Sequence, residues 1–391
     1  MATQDRVKVG IIGAGFIGQM HAEAFERVPN AEVVAIASPN AERGQALAGR
    51  FGIPRHLTDY RDLLAIADLD MVTLGVPNDR HAAVCIDAAR AGKHVVREKP
   101  LCLTLAEADA MIAASKEAGV KLMYAEELCF APKYVRAKRL VEEGALGDVF
   151  LVKQSEEHGG PHSPWFWDVE RSGGGVLLDM GCHSIAFCRW IMGNQPIRRV
   201  SATMGTFVHG DKTRGEDHAL VMLTFAGGGI GVCENSWAKL GGVDDRAEIY
   251  GSLGNTRADL LRGSSLTTYS DAGYGYAVEK ATTTRGWTFT MFEETWNYGF
   301  PQEMQHFVDC VARDEPPLIT GEDGRAVLEA IYAAYLSAGT GRAVELPLDA
   351  ATVASAAKPI DLWLGNEVGG RRSEGGGVRS QKSGVRDERR A

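Results

Sequence analysis

The 391-residue chain has no long hydrophobic run, no excess of basic charge and no paired cysteines, and each absence closes off a class of function. No apolar stretch approaches the roughly 18 residues that a membrane span needs. The start, MATQDRVKVG, shows no apolar signal-peptide core, so a cytoplasmic location without a membrane partner is expected. The formal net charge of −9 leaves no basic face for a polyanion, which argues against nucleic acid and for a small-molecule ligand. The seven cysteines (Cys85, Cys102, Cys129, Cys182, Cys188, Cys233 and Cys310) are odd in number and include no C-x-x-C pair. Neither a disulfide framework nor a zinc knuckle is therefore indicated.

What is present is ordinary globular material, 45% hydrophobic and 24% charged, in a chain longer than one core usually serves. From Lys8 to about Ala125, the β-branched runs VKVGII, EVVAIA, MVTLGV, HVVR and VKLMYA alternate with amphipathic segments. That rhythm predicts an α/β fold with a doubly wound parallel sheet over residues 1–125. From about Gly147 longer strand-like segments are joined by glycine turns, as in HALVMLTF-AGGG-IGVCENSW, so residues 126–365 are expected to hold antiparallel sheet. Val221, Leu223 and Phe225 alternate with Leu220, Met222 and Thr224, and both faces of that strand are expected to be covered, one of them by a partner subunit. A helix opening at Pro301 carries Met304, Phe307, Val308 and Val311 on one face. Residues 366–391 are rich in Gly, Ser and Arg and read as a disordered tail.

The run VKVGIIGAGFIG places Gly13, Gly15 and Gly18, with Phe16 and Ile17 between them, directly after the first strand. There the first glycine makes a tight turn, the second admits a pyrophosphate to the backbone, and the third lets the helix sit close to the sheet. The helix start offers free N–H groups to the phosphates. The second strand ends at Ser38, where NAD enzymes commonly carry an acid for the ribose hydroxyls. Ser38 and Asn40 can still bond a ribose and Arg43 can approach a 2′-phosphate, so NAD is favoured narrowly over NADP.

Three further motifs, VPNDRH at 76–81, GKHVVREKP at 92–100 and GGGVLLDMGCH at 173–183, complete a pattern with the glycine loop. Together they resemble the Gfo/Idh/MocA family (glucose-fructose oxidoreductase and inositol dehydrogenase relatives), in order over about residues 7–345. The resemblance implies a Rossmann domain followed by an α/β domain with a large open, mainly antiparallel sheet, assembled as a homodimer or homotetramer through that sheet. It implies that Pro77, Asn78 and His81 lie beside the cofactor, that Glu98 reaches the nicotinamide side and that Lys99 is the active-site lysine, aimed by a cis peptide before Pro100. The competing reading of Glu98-Lys99-Pro100 is a charged strand end stopped by proline. Asp179 and His183 are four apart on the helix that the glycines introduce, so both are expected to point the same way, Asp179 orienting His183. An ordinary i,i+4 pair is the plain alternative, and Asp-x-x-x-His lacks the third ligand that a metal would need. One stretch departs from the family's habit: AEELCFAP carries Cys129 where many members have an arginine, beside Glu126 and Glu127.

The segment KQSEEHGGPHSPWFWD, 153–168, gathers His158, His162, Trp165 and Trp167 in a loop broken by glycine and proline. Aromatic faces stack on sugar rings and histidines bond hydroxyls, so a carbohydrate loop and a loop merely pinned to the core both fit. Lys153, Arg214 and Lys239 are candidates for recognising an acidic sugar, and the plainer reading of each is a solvated surface charge. The activity expected is hydride transfer to or from a secondary alcohol carbon of a sugar, glycoside or cyclic polyol, with His183 as base and Lys99 beside the alkoxide. A redox-neutral, NAD-dependent glycosidase is the alternative. It would need one more acid/base group, for which Tyr124, Glu127 and Tyr298 are candidates. A ligand sensor without turnover comes last, since Lys99, Asp179 and His183 are all present.

Overall fold

Val7–Ile12 is apolar at nearly every position, the pattern of a strand covered on both faces. In the computed structural model, which describes residues 6–260, 265–270, 285–291 and 294–365, it forms β1 and pairs in parallel with β2 (Ala31–Ala37) and β4 (Met71–Leu74). With β3 (His56–Leu57), β5 (His94–Glu98) and β6 (Leu122–Ala125), the strand order is β3-β2-β1-β4-β5-β6, all parallel. This is the expected doubly wound sheet. Its order reverses between β1 and β4, and the crevice beyond their carboxyl ends is where such a sheet takes a ligand. Helix α1 (Phe16–Phe25) starts in that crevice at Gly15. Helix α2 (Ala41–Phe51) is capped by Asn40, whose side chain accepts from the Arg43 N–H, and α3 (Leu105–Glu117) by a Thr104–Glu107 capping box.

The second sheet is built from β7 (Val149–Glu157), β8 (Ile197–Gly205), β9 (His218–Phe225), β10 (Ile230–Ser236), β11 (Asp244–Gly251) and β12 (Asn255–Asp259). Strands β13 (Ser265–Ser270) and β14 (Gly286–Met291) pair separately, and the short β15 (Val344–Glu345) completes the larger sheet in the order β12-β11-β7-β10-β9-β8-β15. The β9–β10 hairpin is antiparallel, as its glycine turn predicts, but β10 runs parallel to β7, so the sheet is mixed. Helix α4 (Gly181–Ile191) covers one face, burying Val221, Leu223 and Phe225. Among the described residues the other face is left open: Leu220, Met222 and Ile230 are 39%, 47% and 39% exposed, the face for which a partner subunit is expected.

Helix α5 (Phe300–Ala312) has Pro301 in its first turn, buries Met304, Phe307 and Val308, and packs on α1. Helix α6 (Gly321–Thr340), started by a Thr320–Asp323 capping box, lies against α3, α4 and β8. Thr320 forms an antiparallel bridge with Met123, and the Tyr124 N–H donates to the Ile319 carbonyl at 3.2 Å. The C-terminal region therefore closes the edge of the first sheet as well as its own. All seven cysteines are free and buried. Among the described residues no helix is long and apolar enough to cross a membrane. The expected tail, 366–391, lies outside the described residues.

Candidate active site

A cavity of about 1060 Å³ lies at the carboxyl edge of the first sheet and is lined from both halves of the chain. Gly13, Gly15, Phe16, Ile17, Ser38, Asn40, Arg43, Pro77, Asn78, His81, Glu98 and Lys99 all border it, as expected. Gly18 does not. A Cβ on Gly18 would stand 2.0 Å from the Gly13 carbonyl oxygen, and one on Gly13 2.2 Å from that of Gly75, so these two glycines serve the turn itself. Gly15 has ordinary backbone angles, φ −86° and ψ −163°, and a Cβ there would meet nothing within 4 Å. It keeps open a cradle at a helix N-terminus, which fits the pyrophosphate of a dinucleotide.

Several residues expected beside a cofactor also tie the walls together. The Asn78 amide donates to the Ser172 carbonyl at 2.9 Å, and His81 sits between the carbonyls of Pro100 and Val76 at 3.0 and 2.8 Å. The Ser38 hydroxyl donates to the Asn40 carbonyl at 3.2 Å, and the Asn40 side-chain oxygen is engaged as the α2 cap. Tyr60 and Arg61, which nothing in the sequence singled out, border the same rim. Glu98 is bonded to His21 at 2.8 Å. Burial opposes its ionisation, but His21, Lys99 and Arg97 outweigh burial and hold the carboxyl below its usual range.

Lys99 follows β5, with a cis bond to Pro100. Its ammonium donates to the Asp179 main-chain carbonyl at 2.9 Å and to Oδ1 at 3.2 Å, and the Trp237 indole N–H donates to Oδ2 at 3.2 Å. Burial would lower the Lys99 pKa, but Asp179, Cys182, Glu127 and Glu156 outweigh it and hold it well above its ordinary value. Asp179 therefore orients Lys99, and the expected Asp179–His183 pair is not formed. The helix is broken: Val176–Asp179 ends at Met180, whose φ of −109° interrupts the turn before α4 begins. The i,i+4 geometry is lost there, and the two side chains serve different partners.

His183 is held instead by Glu126, which the sequence reading passed over as a carboxyl at the end of β6. Its Nδ1 lies 2.5 Å from Glu126 Oε1, and its Nε2 lies 3.6 Å from Glu127 Oε1. Both acids directly follow a parallel strand's carboxyl end, a position that could have flagged them. Burial pushes Glu126 well above the carboxylate range, with Lys99 opposing and Glu98 adding. Burial raises Glu127 to about 7, with His183 and Lys99 opposing and Glu98 and Glu126 adding. Glu126, Cys182 and His183 also bring ligand atoms within 4.8 Å of one another. Burial holds the Cys182 thiol well above its usual pKa.

The three glycines before Asp179 fit a buried clamp. Glu216 accepts from the Leu177 N–H at 2.8 Å, the Gly175 N–H at 3.3 Å and the Tyr335 hydroxyl at 2.8 Å, and a Cβ on Gly175 would meet the Glu216 carbonyl at 2.0 Å. The 153–168 loop divides. His162 borders the cavity and packs on Phe16 with ring centroids 4.5 Å apart, and Trp165 borders it with one face stacked on Phe166. His158 does not reach the cavity. It is fully buried behind Met180, its Nε2 3.3 Å from the Met180 sulfur, and the expectation that it binds substrate is corrected. Lys153, Arg214 and Lys239 are also elsewhere, paired with Glu248, Glu170 and Glu157 with Asp244 respectively, and none borders the cavity. Tyr124 is buried outside it, whereas Glu127 and Tyr298 border it.

Residues 7–126 match the oxidoreductase family with an NAD-binding Rossmann fold, GFO_IDH_MocA, and residues 134–257 match the GFO/IDH/MocA C-terminal domain. The chain belongs to the Gfo/Idh/MocA oxidoreductase family. This Gfo/Idh/MocA member is 31% identical to the myo-inositol 2-dehydrogenase of Thermotoga maritima over 343 residues, 87% of this chain and 98% of that protein. Among solved structures it is similar to GenD2 from gentamicin A biosynthesis in complex with NAD, with a TM-score of 0.82 and 34% identity over 88% of this chain and 97% of that one. It is also similar to a levoglucosan dehydrogenase in complex with NADH and L-sorbose, with a TM-score of 0.73 and 26% identity over 88% and 99% of the two chains. The chain is thus an oxidoreductase with a nicotinamide-dinucleotide fold, and Lys99, Asp179, Glu126 and His183 belong to its cavity wall and the layer behind it.

Proposed function

We propose that the protein oxidises or reduces a secondary alcohol carbon of a sugar or cyclic polyol, using NAD held at the Gly15 cradle. The observation that carries this reading is the arrival of Lys99 from one half of the chain and His183 from the other at a single cavity that also contains the cradle. The dehydrogenases among the relatives named above support the substrate class. When bound, NAD supplies the hydride acceptor.

A carbinol can release hydride only as its hydroxyl proton leaves, so a base and a cationic donor must both reach that oxygen. An ammonium has three donors. Two of those on Lys99 go to Asp179, which leaves one for the substrate oxygen as negative charge grows. His183 Nε2 faces the Glu127 side and takes the proton, while Nδ1 is fixed by Glu126. Burial works against a charge on Glu126, and the contact with Nδ1 gives that carboxyl a hydrogen-bonding partner. The pair starts oxidation with one proton between carboxyl and Nδ1 and ends with a second on Nε2. Reduction runs from the doubly protonated state.

The test is a panel of sugars, glycosides and polyols with NAD and NADP, following both reduced cofactor and released aglycone. Reduced cofactor formed in proportion to substrate, with the glycosidic bond intact, is expected. Aglycone release over many turnovers without net NADH would point instead to the redox-neutral glycosidase, with Glu127 or Tyr298 as its extra acid/base group. Homodimers or homotetramers formed through the open face bearing Leu220, Met222 and Ile230, and a cytoplasmic location suited to seven reduced cysteines, belong to the same proposal.

A further inference from the structure

The end of the cavity around Lys99 has an uneven charge inventory. Glu98, Glu127 and Glu156 border it, and Glu126, Asp179 and Glu303 stand buried at or behind its wall. The cations there are Lys99, already engaged by Asp179, and the buried Arg97, which donates to the Leu74 and Pro100 carbonyls, and the imidazoles of His21 and His183 are taken by Glu98 and Glu126. Glu127 stands beside this set, its Oε1 3.6 Å from the His183 imidazole that Glu126 already holds. It is 7% exposed, it borders the cavity, and its Oε2 has no hydrogen-bond partner. A buried carboxylate whose neighbouring cations are already engaged by other acids is costly, and a cationic ligand relieves that cost where a neutral or anionic one does not. Lys153, Arg214 and Lys239, the candidates for recognising an acidic sugar, lie outside the cavity.

The position of Glu127 narrows the chemistry. Its Oε1 lies 3.6 Å from His183 Nε2, the atom that receives the substrate's hydroxyl proton. A group bonded to Glu127 must therefore sit next to that hydroxyl on the substrate, and gauche neighbours on a ring are close enough to meet both residues at once. We propose that the substrate is a vicinal amino alcohol on a ring, an amino sugar or aminocyclitol, whose ammonium is held by Glu127 on the carbon beside the one oxidised. This rests on the dehydrogenase reading above and adds the substrate's charge and the place of its amine.

The experiment compares matched rings that carry hydroxyl, amine or acetamide beside the reacting carbon, namely scyllo-inositol with its monoamino analogue, and glucose with glucosamine and N-acetylglucosamine. Initial rates of NADH formation are read alongside calorimetric binding to the NAD-loaded protein, for the parent and for Glu127→Gln. A charge-assisted bond in a buried site gives the amine an advantage of about tenfold or more in kcat/KM over its hydroxyl counterpart, removed by acetylation. Glu127→Gln should cut that ratio by about the same factor. Equal or better use of the hydroxyl compound overturns the inference. So does a Glu127→Gln variant that slows amine and hydroxyl members alike, which would make the carboxyl part of the proton chemistry. If no ring is oxidised, the dehydrogenase reading fails, and the binding titration still decides whether the cavity prefers the amine.

Discussion

Alanine at Gly15 and alanine at Gly18 should fail in different ways. At Gly15 the backbone angles suit alanine and the new methyl meets nothing within 4 Å, so the fold should lose no more than about 0.5 kcal/mol. The methyl projects into the cradle, where overpacking a close contact costs about 1–3 kcal/mol, which corresponds to an NAD Kd raised about 5- to 150-fold. At Gly18 the methyl stands 2.0 Å from the Gly13 carbonyl oxygen, well inside the 3.4 Å of ordinary contact, and main-chain atoms cannot swing away as a side chain can. The helix or the turn must shift, and the unliganded protein itself should lose about 1–3 kcal/mol. Urea unfolding of the unliganded variants and calorimetric titration with NAD separate the two cases. Parent-like NAD affinity in Gly15→Ala would refute the cradle. A stability loss in Gly15→Ala equal to that of Gly18→Ala would show that both glycines serve the turn.

Lys99→Met and His183→Ala should each lower turnover by about 10²–10⁴ while leaving the NAD Kd within a few-fold, and near-parental turnover in either removes its assigned role. Glu126→Gln retains an acceptor for Nδ1 without the charge, so a fall of about tenfold in turnover with a shifted pH profile is expected, and an unchanged profile counts against the pair. Burial raises Asp245 to about 8 and Glu216 to about 7. Both lie above the value of a carboxyl in the unfolded chain, so their contribution is fully present below about pH 4 and is lost as pH rises through 7 to 8. Asp245→Asn should flatten the decline of urea-unfolding stability across that window, and a slope equal to the parent's would contradict this. Tenfold tighter binding of NADP than NAD, about 1.4 kcal/mol, would place Arg43 on a 2′-phosphate and reverse the cofactor preference.

The parallel sheet, the glycine loop and the place of Lys99 beside the cavity were legible because each follows from a local pattern: β-branched runs, glycine spacing, and a lysine at a strand's carboxyl end. The partner of His183 was not, since the i,i+4 rule presumes an unbroken helix and Met180 breaks it. Glu126 lies 57 residues from His183 and joins it only through the tertiary fold. Lys153 takes the plainer of its two readings, a surface charge, for a similar reason. Its partner Glu248 is opposite it across the β7–β11 register, which hydropathy alone does not reveal. His158 is in the core because the end of β7 is buried on both faces, which the polar run at 154–158 does not announce.

The packing of α5 on α1 and the Thr320–Met123 bridge bear on how the chain acquires its shape during synthesis. The N-terminal sheet emerges from the ribosome first, yet α1 and the outer edge of β6 find their cover only in residues 300–340. Domains usually fold as units in the order they are made. Here the first unit stays incomplete until nearly the whole polypeptide has been translated, with apolar surface open to chaperones or to aggregation in the interval. A fragment ending after the NAD-binding match at residue 126 should therefore be poorly protected from hydrogen exchange along β6, and adding residues 294–345 in trans should restore that protection.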